Sequence, residues 1–326
     1  MRADLHVHSC YSTQSGNLRF LRSRDCYSSP RDVYDVAKRR GMDFVTITDH
    51  DSIDGCLALL DAHPCDDFFI SEEVSCRFPG ADIEVHLGVY GTTEALHREL
   101  QPLRGDVFAV IEALRASRVF FSLNHLFHFY RQQVPLASYL RLLSLVPAVE
   151  ARNGTMLREH NELVVRLARE WGESRGDGPL ARRSLVGGNT SLLGGSDAHT
   201  LRRVGRSWTE APGATPAEFL HSLACGLAVP GGAHGTAATV AADAYGVVAR
   251  YASSLLGFGP RDHRGLERLA CLMFVAISLP AQFLPLALAI RAKRGERGAV
   301  RLGAQALPAV QPAIGTAAAQ PEGACQ

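Results

Sequence analysis

Seven short β-like runs alternate with helical stretches over residues 1–222, and this alternation confines the fold more tightly than any other feature. The runs are RADLHVH, DFVTITDH, DFFISEEVSC, IEVHLGVYG, VFFSLNHLF, AVEARNG and LLGGSDAH. Between them, SSPRDVYDVAKRRG reads as a helix with Ser29 at the N-cap, Pro30 in the first turn and Gly41 as its stop. LREHNELVVRLAREWG repeats apolar residues at helical spacing. Strands alternating with helices predict an α/β fold built on a parallel sheet or an α/β barrel.

The chain of 326 residues changes character near residue 225. The expected division is a catalytic domain over 1–222, a helical, apolar extension over 223–303 and a disordered, Ala/Pro/Gln-rich tail over 304–326. Leu269–Ile290 carries no charge and is long enough to span a bilayer, but Pro280, Gln282 and Pro285 interrupt it. Thr236–Leu256 is amphipathic. The extension is therefore expected to pack on the first domain or to pair two copies in a homo-oligomer. Membrane association through 236–290 is the alternative. The net charge of +1 gives no global signal for nucleic acid. Eight cysteines without a C-x-x-C pair argue against a disulfide framework or a thiolate zinc site. With no basic and apolar leader before the first strand, the expected location is the cytoplasm.

Five of the seven runs carry or end in histidine: His6 and His8, His50, His86, His125 and His199. Asp49, Glu72, Glu73 and Asp197 share these places. The C-terminal ends of parallel strands converge on one face, so these residues, distant in sequence, are expected to meet. In H-x-H and D-x-H, side chains at i and i+2 of a strand point the same way and can grip one cation. Mixed nitrogen and oxygen donors suit zinc, manganese or iron rather than calcium. His63, His97, His128, His160, His221, His234 and His263 lie mainly in helices or loops and read as surface or supporting residues. Arg152 in EARNG and Arg206 in VGRSWTE follow strand-like runs and are candidates for binding a phosphate, the alternative being two surface arginines. Arg19, Arg22 and Arg24 form either a basic lid or a solvated loop.

In this order, DLHVHS, TITDH, SEEVS, EVHLGVY, NH and GGSDAHT resemble the motifs of the polymerase-and-histidinol-phosphatase (PHP) phosphoesterase family. The resemblance covers about residues 1–222. It implies a distorted (β/α)7 TIM-like barrel with two or three divalent metal ions (Mn, Zn or Fe) at the strand C-termini. It also implies hydrolysis of a small phosphorylated substrate, a phosphomonoester being favoured, by a metal-bridged hydroxide. On this resemblance His6, His8 and Asp197 hold one metal, and Glu73, His86 and His125 a second, with Glu72 competing for the place of Glu73. His50 and His199 match ligands of a third. Asp197 or His199 also assists proton transfer or simply holds metal. The family usually has Asp or His five or six residues after the second histidine; here Thr13 and Gln14 stand there, so the third site is expected to be weak. Leu126 replaces a common proline after the histidine of NH. Two other readings stay open: a metal-dependent amidohydrolase, although no lysine lies at a strand end to bridge metals, and a metal-binding regulatory module that has lost activity.

Overall fold

Ser29 caps the first helix, α1 (Pro30–Arg39), by accepting a hydrogen bond from the Asp32 amide at 3.1 Å. Pro30 occupies the first turn, and the chain leaves through Gly41 at φ +79°, which glycine adopts without strain. The computed structural model describes residues 1–12, 23–130, 132–173, 190–258, 262–278 and 283–306. Of the tail expected to be disordered over 304–326, residues 304–306 are helical, which corrects that expectation, and residues 307–326, like Thr13, Gln14, Arg19 and Arg22, lie outside the described residues.

The fold is mixed α/β. Strands β1 (Arg2–Ala3), β2 (Ser71–Arg77), β3 (Glu84–Tyr90), β4 (Phe120–Leu123), β5 (Ala148–Asn153) and β6 (Ser191–Gly195) coincide with runs expected from sequence, β2 and β6 each extending one residue beyond its run. β2 to β6 form one sheet in chain order. β4, β5 and β6 are parallel, but β3 runs antiparallel to both its neighbours. This corrects the expectation of a purely parallel sheet. Only residues 78–83 join β2 to β3, and a parallel crossover needs a dozen residues or more. Helices α2 (Asp54–Ala62), α3 (Glu94–Leu100), α4 (Val107–Ala116), α5 (Leu136–Leu140) and α6 (Arg158–Glu173) fill the remaining connections. Leu87, Phe121, Val149, Val110, Leu114 and Val164 belong to the largest buried apolar cluster.

Two runs read as strands are mostly irregular but bonded in place. Val7 bridges Ala198 in parallel, and the His8 amide donates to the Ala198 carbonyl at 3.1 Å. The 43–50 run sits between the N-terminal run and β2: Thr48 N donates to Val7 O at 2.8 Å, and Glu73 N to Asp49 O at 3.1 Å.

A second sheet, which the sequence reading missed, pairs β1 with β7 (Ser207–Glu210) and β7 with β8 (Val229–Gly232). The VPGG of β8 has no strand composition; it is a strand only because β7 offers an edge to pair with. The composition boundary at 222 falls inside α7 (Pro216–Ala224). Among the described residues three helices follow: α8 (Ala237–Leu255), α9 (Gly265–Ser278) and α10 (Leu284–Ala306). α10 is tied to α6 by Glu296, whose carboxylate accepts from the Leu157 amide at 2.7 Å, and by Gly303 lying against Phe127 and Leu163. Leu266, Leu269, Met273, Ile277 and Leu288 remain exposed on α9 and α10. Among the described residues no helix is long and apolar enough to cross a membrane. The seven described cysteines form no disulfide.

Candidate metal centre

β2 puts Glu73 at the middle of the site. A strand alternates its side chains, so Glu73 faces the histidines while Glu72 faces away and meets His97 Nδ1 at 2.7 Å. Five histidine nitrogens surround the Glu73 carboxylate: His6 Nε2 at 3.1 Å, His125 Nε2 at 3.1 Å, His50 Nδ1 at 3.2 Å, His86 Nδ1 at 3.3 Å and His8 Nε2 at 3.6 Å. Asp197 Oδ1 lies 3.5 Å from the Nε2 of both His6 and His8. His6 and His8 thus share a face, as the H-x-H spacing predicts, and β6 delivers Asp197 beside them. Close approach of β6 to His6 requires Gly195: a Cβ there would lie 2.3 Å from the His6 Cβ.

Backbone strain marks two of the positions. His125 (φ 25°) and Asp197 (φ 51°) follow the ends of β4 and β6 with positive φ, which costs a non-glycine residue about 1–3 kcal/mol. Both gain polar anchors. The His125 amide donates to Glu150 Oε2 at 3.0 Å, and Asp197 Oδ2 accepts from Thr155 Oγ1 at 2.8 Å and Asn153 Nδ2 at 3.2 Å. Occupying Oδ2 leaves Oδ1 of Asp197 facing the histidines.

The donor atoms fall into four overlapping groups that could each hold a cation: His6, His125 and Asp197; His6, His8 and Glu73; His50, Glu73 and His86; and His8, Asp25, His50 and His199. His50 and His199 thus meet, as the resemblance implies, but with His8 and a residue the sequence reading missed. Asp25 Oδ2 lies 2.8 Å from His199 Nε2 and 3.7 Å from His50 Nε2. No motif announces Asp25; it sits in an irregular stretch, and only the folded chain brings it to the histidines. The other missed residues support ligands. Glu150 Oε1 lies 2.8 Å from His6 Nδ1, and Glu84 Oε1 lies 2.9 Å from His86 Nε2. A buried acid in the apolar run AVEARNG was the available signal for Glu150.

Burial and charge oppose each other throughout. Burial alone would raise the Glu73 pKa, but His6, His86 and His50 hold it well below the carboxylate range. Burial resists charge on His86 and His199, yet Glu73 and Asp25 respectively lift each to about 10. At His50 burial wins and pushes the pKa down to about 3. Among the described residues eleven buried side-chain polar atoms have no hydrogen-bond partner, and six of them lie in these groups: His6 Nε2, His8 Nε2, Asp25 Oδ2, His50 Nδ1, Glu73 Oε2 and His86 Nδ1. Nitrogen and carboxylate donors converging in this way fit divalent cations.

The two expected phosphate-binding arginines lie differently. Arg152 Nη1 donates to the Gly232 carbonyl of β8 at 2.7 Å, whereas Arg206 is exposed. Arg24, read as part of a basic lid or a solvated loop, pairs with Asp262.

Residues 189–227, which include the SDAH motif, match the family model described as PHP-associated. A stretch of 55 residues is 44% identical to an uncharacterized protein of Methanocaldococcus jannaschii; it is 17% of this chain and spans about a third (32%) of that relative. Two solved structures are also similar. PsfC from Pseudomonas syringae matches over 77% of this chain and 95% of its own at 19% identity and a TM-score of 0.46. A proposed metal-dependent phosphoesterase from Bifidobacterium adolescentis matches over 61% of this chain and 87% of its own at 13% identity and a TM-score of 0.40. The PHP-associated match falls on the segment that carries GGSDAHT, the last of the ordered histidine and carboxylate motifs.

Proposed function

We propose that this chain is a metal-dependent phosphoesterase acting on a small phosphomonoester. The observation that carries the reading is the convergence of six unpartnered donor atoms, from five separate segments, around Glu73. An orphaned buried polar atom costs about 1–3 kcal/mol, and packing alone gives nothing in return. Divalent cations remove that cost, and when bound they supply Lewis acidity toward a phosphoryl oxygen and lower the pKa of water. Glu73 keeps negative charge at the centre. Glu150 and Glu84 orient the rings of His6 and His86. Asp197 holds Oδ1 inward, and Asp197 or His199, the latter a quarter exposed at 25%, assists proton transfer or simply holds metal. Arg206 is the better candidate for a substrate phosphate, because engaging Arg152 would break its bond to Gly232.

The backbone bonds support a distorted seven-membered barrel beneath this site. They run from β2 to β6, through Ala198 to Val7, through Thr48 to the 43–50 run, and through Glu73 back to β2. Unpaired thiols favour a reducing, cytoplasmic setting. The test is elemental analysis of protein purified without chelator, beside a phosphomonoester hydrolysis screen with Mn²⁺. At least about two equivalents of metal and activity abolished by chelation are expected. Less than about one equivalent after reconstitution with Mn²⁺ or Zn²⁺ overturns the reading.

A further inference from the structure

Asp25 belongs to no named helix or strand, yet it meets His199 at 2.8 Å. Something else must fix it. Arg24, its chain neighbour, forms a two-pronged pair with Asp262: Nε to Oδ2 at 2.7 Å and Nη2 to Oδ1 at 2.6 Å. Asp262 lies 238 residues further along, between α8 and α9. The third guanidinium nitrogen, Nη1, donates to the Cys10 carbonyl, close to His8. Arg24 therefore joins the C-terminal extension to the H-x-H segment, with Asp25 attached at the joint.

Two further contacts follow the same pattern. The Tyr27 hydroxyl accepts from the Arg24 amide at 3.0 Å, and its ring packs 6.4 Å from Tyr251 of α8, beside Leu255 and Cys271. Thr200, next to His199, donates through Oγ1 to Asp243 of α8 at 2.7 Å. Both partners of the Asp25–His199 pair thus have a neighbour held by the extension.

We propose that the C-terminal extension assembles the outer metal corner, with Asp262 acting through Arg24 as the positioning residue for Asp25. A bidentate guanidinium–carboxylate pair fixes direction as well as distance, and a lysine at position 24 would not reproduce it. Occupancy of the corner formed by His8, Asp25, His50 and His199 then depends on docking of the extension, while the ligands grouped on Glu73 do not. The inference rests on the metal-centre reading above.

The experiment measures bound metal after Mn²⁺ reconstitution and desalting, with circular dichroism and melting temperature in parallel. It compares the full-length chain with Asp25→Ala, Asp262→Asn, and the exchanged pair Arg24→Asp with Asp262→Arg. Wild type is expected to hold about three equivalents, and Asp25→Ala about one fewer. Asp262→Asn should copy Asp25→Ala, its outer-corner affinity about 10–100-fold weaker, with the inner metals and the melting temperature retained. The exchanged pair should recover part of the loss. Three tight equivalents in Asp262→Asn overturn the clamp alone. Loss of the inner metals as well, or a collapsed melting temperature, also overturns it, because the contact then supports the whole fold. Fewer than three equivalents in wild type overturn the outer corner itself, and the clamp with it.

Discussion

The inner and outer halves of the candidate metal centre are built by different means. Glu73 and His86 stand on paired strands, His6 and Asp197 are joined by a backbone bond from Asp197 N to His6 O at 2.7 Å, and the His125 amide is held by the Glu150 side chain of β5. All five are at least nine-tenths buried. At the outer corner, His50, His199 and Asp25 have side chains 19%, 25% and 24% exposed. Asp25 is flanked by Arg24 and Tyr27, whose side chains reach to Asp262 and Tyr251 of the extension. A sheet fixes ligand geometry as a by-product of folding. A corner made of loops needs separate contacts, and those can be lost without losing the fold.

The strongest way to break this comparison is Glu73→Gln. The substitution keeps the shape and removes the charge that five histidines face. Its effect should cross both halves: metal content falls at every group containing Glu73, and kcat falls by roughly 10³-fold or more, the equivalent of several kcal/mol. Steady-state kinetics and elemental analysis check it. Retained metal with near wild-type kcat would remove Glu73 from the centre of the argument.

Asp25→Ala should separate the halves. About one equivalent of metal is expected to leave while the inner ligands keep theirs, and the fold should survive because no strand bond involves this side chain. Parallel loss of all metal would show that the two halves are one cooperative unit.

The inner half was readable from sequence for the reason that makes it rigid. Period-two alternation carries side-chain direction directly, so LHVH and DAH announce paired donors without any tertiary information. Glu72 and Glu73 could not be separated from spacing alone; the pairing of β2 with β3, which sets Glu73 opposite Gly88, decides which of them faces the histidines. Asp25 was unreadable because its position depends on Asp262 and Tyr251, more than two hundred residues away. The expectation of a weak third site followed from Thr13 and Gln14, which lie outside the described residues; Asp25, farther along the chain, is the carboxylate grouped with His8, His50 and His199. β3 was read correctly as a strand, but its direction was set by a six-residue connection rather than by its own composition.

Within the inner half, Glu150→Gln should have an intermediate effect. Glu150 is 3% exposed and holds His6 Nδ1, the His125 amide and Asn153 Nδ2. An amide cannot replace both carboxylate oxygens toward three groups, and a supporting carboxylate of this kind typically contributes about 10–100-fold in metal affinity. A metal-binding isotherm checks it, and an unchanged isotherm would mean that the strands alone orient His6.

Glu84→Gln gives the finest contrast, because Glu84 does for His86 what Glu150 does for His6, but in water. Its Oε1 lies 2.9 Å from His86 Nε2, and its side chain is 34% exposed. The carboxyl is held below its usual pKa first by the hydrogen bond to His86 and against the opposing effect of partial burial. Solvent and salt screen such a pair, so its contribution should be about 0.2–1 kcal/mol, less than roughly fivefold in metal affinity. The effect should also shrink as salt rises, since the Glu84 end of the pair is a third exposed and lies within reach of the ionic atmosphere. The loss in Glu150→Gln should persist in the same salt series, because that pair is enclosed by protein. Isotherms for both variants at low and high salt check this. If Glu84→Gln costs as much as Glu150→Gln and ignores salt, burial is not what distinguishes the two supporting carboxylates, and the stiffness of β3 that carries His86 becomes the better explanation.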